Sequence, residues 1–116
     1  RAVLGGLTPS IGTVQAVKKY TEIPVMCMVR PREGGFCYTD FDYMTCCRDM
    51  EALLNAGADG IVFGFLKPDG TVDTDRCADF IGKIKKINPN ARLCSTAPLT
   101  WCRTYLKRSM ILLPSV

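Results

Sequence analysis

The sequence predicts an α/β fold built on a parallel β-sheet. Two short segments, residues 24–30 and 61–65, are apolar at nearly every position, which is typical of strands that are buried on both faces. Segments with helical periodicity lie before, between and after them, so the chain alternates between helix and strand. Because a helix separates each pair of strands, we expect crossover connections and parallel pairing rather than hairpins.

Capping residues mark the start of the first two helices. Thr8 or Ser10 can cap a helix over residues 11–20, because a side-chain oxygen there can accept a bond from a free backbone N–H group. Thr39 or Asp40 can cap a longer second helix in the same way. This helix is predicted to end at the Gly-Ala-Asp-Gly turn that precedes the second apolar strand.

The third helix, over residues 73–87, has one apolar face with lysines opposite. An Asn-Pro-Asn break follows, and residues 91–94 are predicted to begin a third strand. No helical or strand period can be recognised after Ser95. The sequence therefore predicts two parts, an α/β segment over residues 1–93 and a divergent tail over residues 94–116.

The composition excludes several classes of protein. Apolar residues make up 47% and charged residues 22% of the chain, which is ordinary for a globular domain, and no apolar run is long enough to span a membrane. The net charge of +4 comes entirely from residues 80–116, because all eleven acidic residues lie before them. We therefore expect no nucleic-acid partner, although a basic surface for an acidic partner, formed by residues 83–86 and the tail, stays an alternative.

Seven cysteines and the absence of histidine restrict the metal chemistry of the chain. The cysteines form no CxxC pair and no zinc-finger spacing. Met26 and Met28 carry thioethers, which are soft donors suited to Cu(I), but strand alternation places Cys27 on the opposite face. We therefore expect all three to be core residues and most of the cysteines to be buried free thiols.

Arg30 and Arg32 are candidates for an anion-binding site. They follow the first predicted strand, and ligands of parallel α/β folds bind at the carboxyl ends of strands. Two guanidinium groups on either side of a proline could clamp a carboxylate or a phosphate. The alternative is that both arginines are exposed to solvent or pair with Asp40 or Asp42.

Tyr38 and Asp73 complete the set of candidates at this edge of the sheet. Tyr38 could line the same binding site, although a tyrosine in a loop more often packs against its neighbours. Asp73 is explained most simply as a cap of the third helix, a role that Thr74 could also fill. The sequence contains no nucleophile with a base beside it, no Walker loop and no GxGxxG motif, so no catalytic residue is predicted.

Four motifs together resemble the CutC copper homeostasis family. They are Gly-Gly-Leu-Thr-Pro-Ser-Ile-Gly at 5–12, Pro-Val-Met-Cys-Met-Val-Arg-Pro-Arg at 24–32, Gly-Phe-Cys-Tyr at 35–38 and Gly-Ala-Asp-Gly-Ile-Val-Phe-Gly at 57–64. The following Asp-Gly-Thr-Val-Asp segment also fits, and the similarity runs from about Gly5 to Asn90. Gly35 departs from the pattern, because the family usually has Asp before the Phe.

The resemblance implies a (β/α)8 TIM barrel, of which this chain would hold about strands 3–5 with their helices. It also implies a cytosolic or nucleocytoplasmic protein that binds Cu(I), has no established catalytic activity, and is homo-oligomeric as a full-length parent. The copper-binding cysteines of the family lie upstream of Arg1, which leaves Cys27 as a weak metal candidate. An alternative function is that of a barrel enzyme acting on an anionic small molecule held by Arg30 and Arg32.

The tail lacks the family's next motif, Phe-His-Arg-Ala-Phe-Asp, which should follow Leu93. Reading the codons of residues 95–102 one base out of step permits Phe, His, Arg, Ala, Phe, Asp, Met and Val in that order. We therefore expect residues 94–116 to be a frame-shifted tail. Sequencing the transcript across codons 90–105 tests this, and an in-frame message with no shifted similarity would exclude it.

Overall fold

The computed structural model describes residues 7–32, 34–95 and 111–113 of the chain. The elements in chain order are α1 (Ile11–Tyr20), β1 (Val25–Met28), α2 (Asp40–Asn55), β2 (Gly60–Phe63), α3 (Thr74–Ile87), β3 (Arg92–Ser95) and β4 (Ile111–Leu113). The Gly-Gly pair of the first family motif, at residues 5–6, and most of the predicted tail lie outside the described residues.

All four strands belong to one parallel sheet with the order β3-β2-β1-β4. In the centre of the sheet, Met26 of β1 lies opposite Gly60, and Ile61 of β2 lies opposite Leu93. Strands β1, β2 and β3 are neighbours in both sequence and space, and a helix joins each pair. This arrangement is the repeating unit of a parallel α/β fold, and the predicted fold class is confirmed.

Strand β4 is a correction to the sequence analysis, which found no structural role for the end of the chain. Residues Ile111–Leu113 pair with β1 on the edge that faces away from β2, with Leu112 opposite Met26. A strand of three residues is too short to show a period of two, so the sequence could not reveal it. The frame-shift origin of residues 94–116 stays a prediction.

The helices begin at the capping residues that the sequence indicated. Ser10 accepts a hydrogen bond from the backbone N–H of Thr13, and Thr39 forms a reciprocal capping box with Asp42 at the start of α2. Asp73 accepts a hydrogen bond from the backbone N–H of Arg76 and caps α3. Four backbone donors that would otherwise lack partners are thereby satisfied, because the capping box satisfies two of them.

The two faces of the sheet pack differently. Alternate strand residues, including Cys27 and Phe63, contribute to a large apolar core with the helices, in which Phe80 is fully buried. The opposite face carries a separate buried cluster of Met26, Met28, Val62 and Cys94. The predicted separation of Cys27 from the two methionines is confirmed. No helix in the described ranges is long and apolar enough to cross a membrane.

Asp59 forms hydrogen bonds that connect the first residues of strands β1 and β3. Its carboxylate accepts hydrogen bonds from Lys18 Nζ at 2.7 Å and from the backbone N–H of Val25 at 2.8 Å. Its own backbone N–H donates to Val25, and its carbonyl accepts from Arg92. The turn before β2 therefore connects α1, β1 and β3 and fixes the register in which the strand ends meet.

Candidate functional site

Arg30 lies just beyond β1, where the sheet presents the carboxyl ends of its strands. Its backbone N–H donates to Thr8 Oγ1 at 2.9 Å, and its carbonyl accepts from the Thr8 backbone at 3.1 Å. The guanidinium donates to the backbone oxygen of Gly34 at 2.8 Å and stacks over the Phe36 ring at 5.2 Å. Arg30 is thus half-buried and held in a defined position at the strand end.

Arg32 connects the loop after β1 with helix α2 through an ion pair and hydrogen bonds. Its Nε lies 3.0 Å from Asp42 Oδ2, and its terminal nitrogens donate to the backbone oxygens of Gly35 and Cys37. The guanidinium also stacks over the Tyr38 ring at 4.9 Å. The hydrogen bond from Arg32 is the main cause that lowers the pKa of Asp42. The ion pair that the sequence left as the alternative to an anion site is therefore present.

Tyr38 packs in the aromatic part of the core. Its ring makes edge-on contacts with Phe36 and Phe65, and only 5% of its surface is exposed. Burial raises the pKa of Tyr38 to about 12, so the phenol is neutral at physiological pH. Among the residues that the structure describes, the buried hydroxyl has no hydrogen-bond partner. These contacts correspond to the packing role that the sequence left open for Tyr38.

The second loop at this edge lies against the first. The Leu66 backbone N–H donates to the Phe36 carbonyl at 2.9 Å, which joins the exit of β2 to the loop after β1. Asp69 accepts bonds from Thr71, chiefly from the hydroxyl, and these bonds lower the pKa of the Asp69 carboxyl. Asp73 is occupied by its capping bond and by its backbone bond to Phe65. The loop thus forms a turn, in which the Gly70 backbone N–H donates to the Lys67 carbonyl.

Arg76 is a residue of this region that sequence reasoning missed. One guanidinium nitrogen donates to the Tyr38 carbonyl at 2.8 Å, and the other lies 2.6 Å from Asp40 Oδ1. The group also stacks over the Tyr43 ring. Arg76 therefore joins α3 to the start of α2, across 36 residues of sequence. The only available signal was an arginine in the first turn of a helix, which does not identify a distant partner.

The structure separates the four candidate residues by role. Arg32 and Asp73 make contacts that stabilise helix starts and a loop, and Tyr38 is buried in the core. Arg30 extends from a strand end and is held by the adjoining loop. It is the candidate that is best placed to meet a ligand at the carboxyl edge of the sheet.

Cys27 is poorly suited to hold a metal ion. It is fully buried beneath the helices, and burial raises the pKa of the Cys27 thiol to about 12. A metal ion binds the thiolate rather than the protonated thiol. Across residues 7–32, 34–95 and 111–113, no group of three His, Cys, Asp or Glu side chains is arranged to hold a metal.

The cysteines of the described part are mostly reduced, as expected. Free thiols occur at Cys27, Cys37, Cys46, Cys47 and Cys77. Cys94 differs from this expectation because it takes part in a disulfide. Only Cys27 and Cys46 among the free thiols are buried, whereas Cys37 is exposed, so the expectation that most cysteines are buried was too broad.

Comparison with known proteins identifies the family. A model of the CutC family matches residues 1–88, which include α1, β1, α2, β2 and α3. The chain belongs to the CutC family. The resemblance inferred from the four motifs is therefore confirmed.

Similar proteins carry the CutC name, and some of these names refer to copper. A "family protein CutC" of Treponema denticola is 55% identical over 78 residues, which cover 67% of this chain and 32% of that protein. The "Copper homeostasis protein cutC homolog" of Mus musculus is 38% identical over 101 residues, covering 87% of this chain and 34% of that protein. This chain thus spans about a third of the length of the curated relatives that it matches.

A solved structure supports the same fold. The crystal structure of the putative copper homeostasis protein CutC from Streptococcus agalactiae superposes with a TM-score of 0.72 at 26% identity. The match covers 80% of this chain and 44% of that chain. The parallel strands and helices of this CutC family member therefore correspond to part of the family's TIM barrel.

Proposed function

We propose that this CutC family member acts in copper homeostasis by binding Cu(I). The observation that carries the proposal is the family match over residues 1–88, together with relatives named as copper homeostasis proteins in fly, mouse and human. Copper is the cargo in this role, and no catalytic step is assigned. We also propose a cytoplasmic or nucleocytoplasmic location, where a reducing environment favours free thiols such as the five found among the described residues.

The side chains of this sequence supply soft donors suited to Cu(I). The sequence has seven cysteines, five methionines and no histidine, so sulfur is the principal soft donor. Cys37 is exposed and Cys47 and Cys77 are partly exposed, whereas Cys27 is buried. The buried Cys27 thiol is therefore not expected to contribute to Cu(I) binding.

A competition titration tests this proposal. The purified chain and the full-length mouse relative are titrated in parallel against a chromophoric Cu(I) chelator under reducing conditions. We expect the chain to remove Cu(I) from the chelator, and Cys27→Ser to leave the affinity unchanged because that thiol is buried and protonated. Copper binding by the mouse relative with none by this chain would exclude the copper proposal for residues 1–116.

The second candidate function is binding of an anionic small molecule by Arg30. It is favoured by the position of Arg30 at the strand end and by the Phe36 and Gly34 contacts that hold its guanidinium. A preorganised guanidinium binds carboxylate or phosphate at little entropic cost. Inorganic phosphate titration by calorimetry tests this, with Arg30→Ala expected to abolish binding. Equal phosphate affinity of the two proteins would contradict it.

A further inference from the structure

A thiol and an ammonium group meet in the groove between α2 and α3. Lys83 Nζ lies 3.6 Å from Cys47 Sγ and donates a hydrogen bond to it, although the two residues are 36 positions apart. The groove has a volume of about 370 Å³. Met50 and Ile87 form its apolar surface, and charged side chains surround it: Arg48, Glu51 and Lys86.

The Lys83 ammonium is held beside the sulfur by a second set of contacts. It lies 3.0 Å from Asp79 Oδ2 and 5.1 Å from the centre of the Tyr43 ring, whose hydroxyl donates to the same carboxylate. The hydrogen bond to Asp79 is the main cause that raises the pKa of Lys83, so the ammonium is charged at neutral pH. Its place next to Cys47 is therefore part of a connected network.

The groove has a positive charge balance despite its carboxylates. Lys83, Lys86 and Arg48 carry three positive charges, and Asp79 and Glu51 carry two negative charges. Arg48 and Lys86 are exposed at the rim, where their side chains can reach an incoming anion. The apolar surface within this rim suits a short aliphatic chain, so the groove suits a small anion with an apolar segment.

Other cysteines on and near α2 have different surroundings. Cys46 is fully buried, and burial raises the pKa of its thiol to about 12, which keeps it unreactive. Cys37 is exposed, but in the described part of the chain no lysine or arginine side chain donates to its sulfur. These two residues are internal controls for burial and for accessibility.

We propose that Cys47 is a modification site that forms mixed disulfides with small anionic disulfides. The Cys47 thiolate attacks one sulfur of the reagent, the reagent's S–S bond breaks as the new S–S bond forms, and the second half leaves as a thiolate. Cys47 is oxidised, the reagent is reduced, and the Cys47 proton passes to solvent. Lys83 stabilises negative charge at the reacting sulfur, and Arg48 and Lys86 bind the carboxylates of the reagent.

Competing rates within one protein test this assignment. The chain is treated at neutral pH with one of two disulfides, the anionic oxidised glutathione or the cationic cystamine. Mass spectrometry of peptides then gives the rate of mixed-disulfide formation at each cysteine. We expect glutathione to modify Cys47 about tenfold faster than Cys37, a modest factor because Lys83 is 45% exposed and partly screened. Cystamine should show no preference for Cys47.

Matched lysine variants separate the local charge from the net charge. Lys83→Met and Lys86→Met should each remove most of the preference for glutathione, whereas Lys19→Met on α1 changes the net charge equally and should retain it. Circular dichroism shows whether each variant is folded. If Lys83→Met does not fold, Lys86→Met alone tests the role of the local charge. Equal glutathione rates at Cys47 and Cys37, or a full preference in the folded lysine variants, would overturn the proposal.

Discussion

Replacing Gly60 with alanine would add a Cβ atom where the backbones of β2 and β3 lie close together. A Cβ atom at residue 60 would lie 2.5 Å from the backbone oxygen of Arg92 and 2.8 Å from Met26 Cε, and it would be closer still to the Met26 sulfur. Real Cβ atoms essentially never come within 3.0 Å of such atoms. The methionine side chain can rotate away, but the Arg92 carbonyl belongs to β3, which pairs with β2 at this residue.

The expected cost follows from this difference between the two neighbours. Relieving the carbonyl contact requires β2 and β3 to separate locally by several tenths of an ångström, which strains the hydrogen bonds between them. Overpacking of this kind costs about 1–3 kcal/mol. Because the free energy of unfolding of folded proteins is only about 5–15 kcal/mol, Gly60→Ala should remove a substantial part of the stability.

Urea denaturation followed by circular dichroism measures this loss. Gly82→Ala is the matched control, because an added Cβ there has no neighbour within 4 Å and the residue is exposed within α3. It should stabilise the chain by up to about 1 kcal/mol. Introducing Gly60→Ala into a Met26→Ala protein isolates the carbonyl contact, and most of the cost should remain. Unchanged stability of Gly60→Ala would refute this account of the packing.

Three further predictions concern charge and burial. Asp42→Asn should lower the urea midpoint at pH 7. The ionised Asp42 carboxylate stabilises the folded chain at pH values above its ordinary pKa of 3.8, and this contribution is lost when the carboxyl is protonated. The difference in midpoint between the variant and the wild type should therefore vanish as the pH falls through the lowered pKa of Asp42. Asp59→Ala should lower the free energy of unfolding, measured by urea denaturation, by about 1–2 kcal/mol, and Lys18→Met should lower it by less than about 1 kcal/mol. The two losses differ because the Asp59 carboxylate also accepts a bond from the backbone N–H of Val25. Equal losses for the two variants would contradict this. Iodoacetamide at pH 8 should alkylate Cys37 but not Cys27 in the folded chain, as measured by mass spectrometry, and rapid labelling of both would show that Cys27 is accessible.

The strands and helix starts were predictable because their signals are local. Continuous apolar runs marked β1 and β2, and the capping side chains of Ser10, Thr39 and Asp73 marked the helix starts. The separation of Cys27 from Met26 also followed from strand alternation alone. Each of these features depends on a few consecutive residues, so the sequence could establish it.

The remaining features depend on contacts between distant parts of the chain. Strand β4 is too short for a pattern, and the partners of Arg76 and Lys83 each lie 36 residues away. The choice between an anion site and an ion pair for Arg32 likewise required the position of Asp42 relative to the loop. Such pairings are determined by helix packing, which no local motif encodes.

The copper role is tested most directly by titrating wild-type chain and Arg30→Ala in parallel, first with Cu(I) against a competing chelator and then with phosphate. Both proteins are expected to remove Cu(I) from the chelator to the same extent, since Arg30 contributes no soft donor. Failure of both to remove Cu(I), together with phosphate binding that is lost in Arg30→Ala, would contradict the copper role and favour anion binding instead.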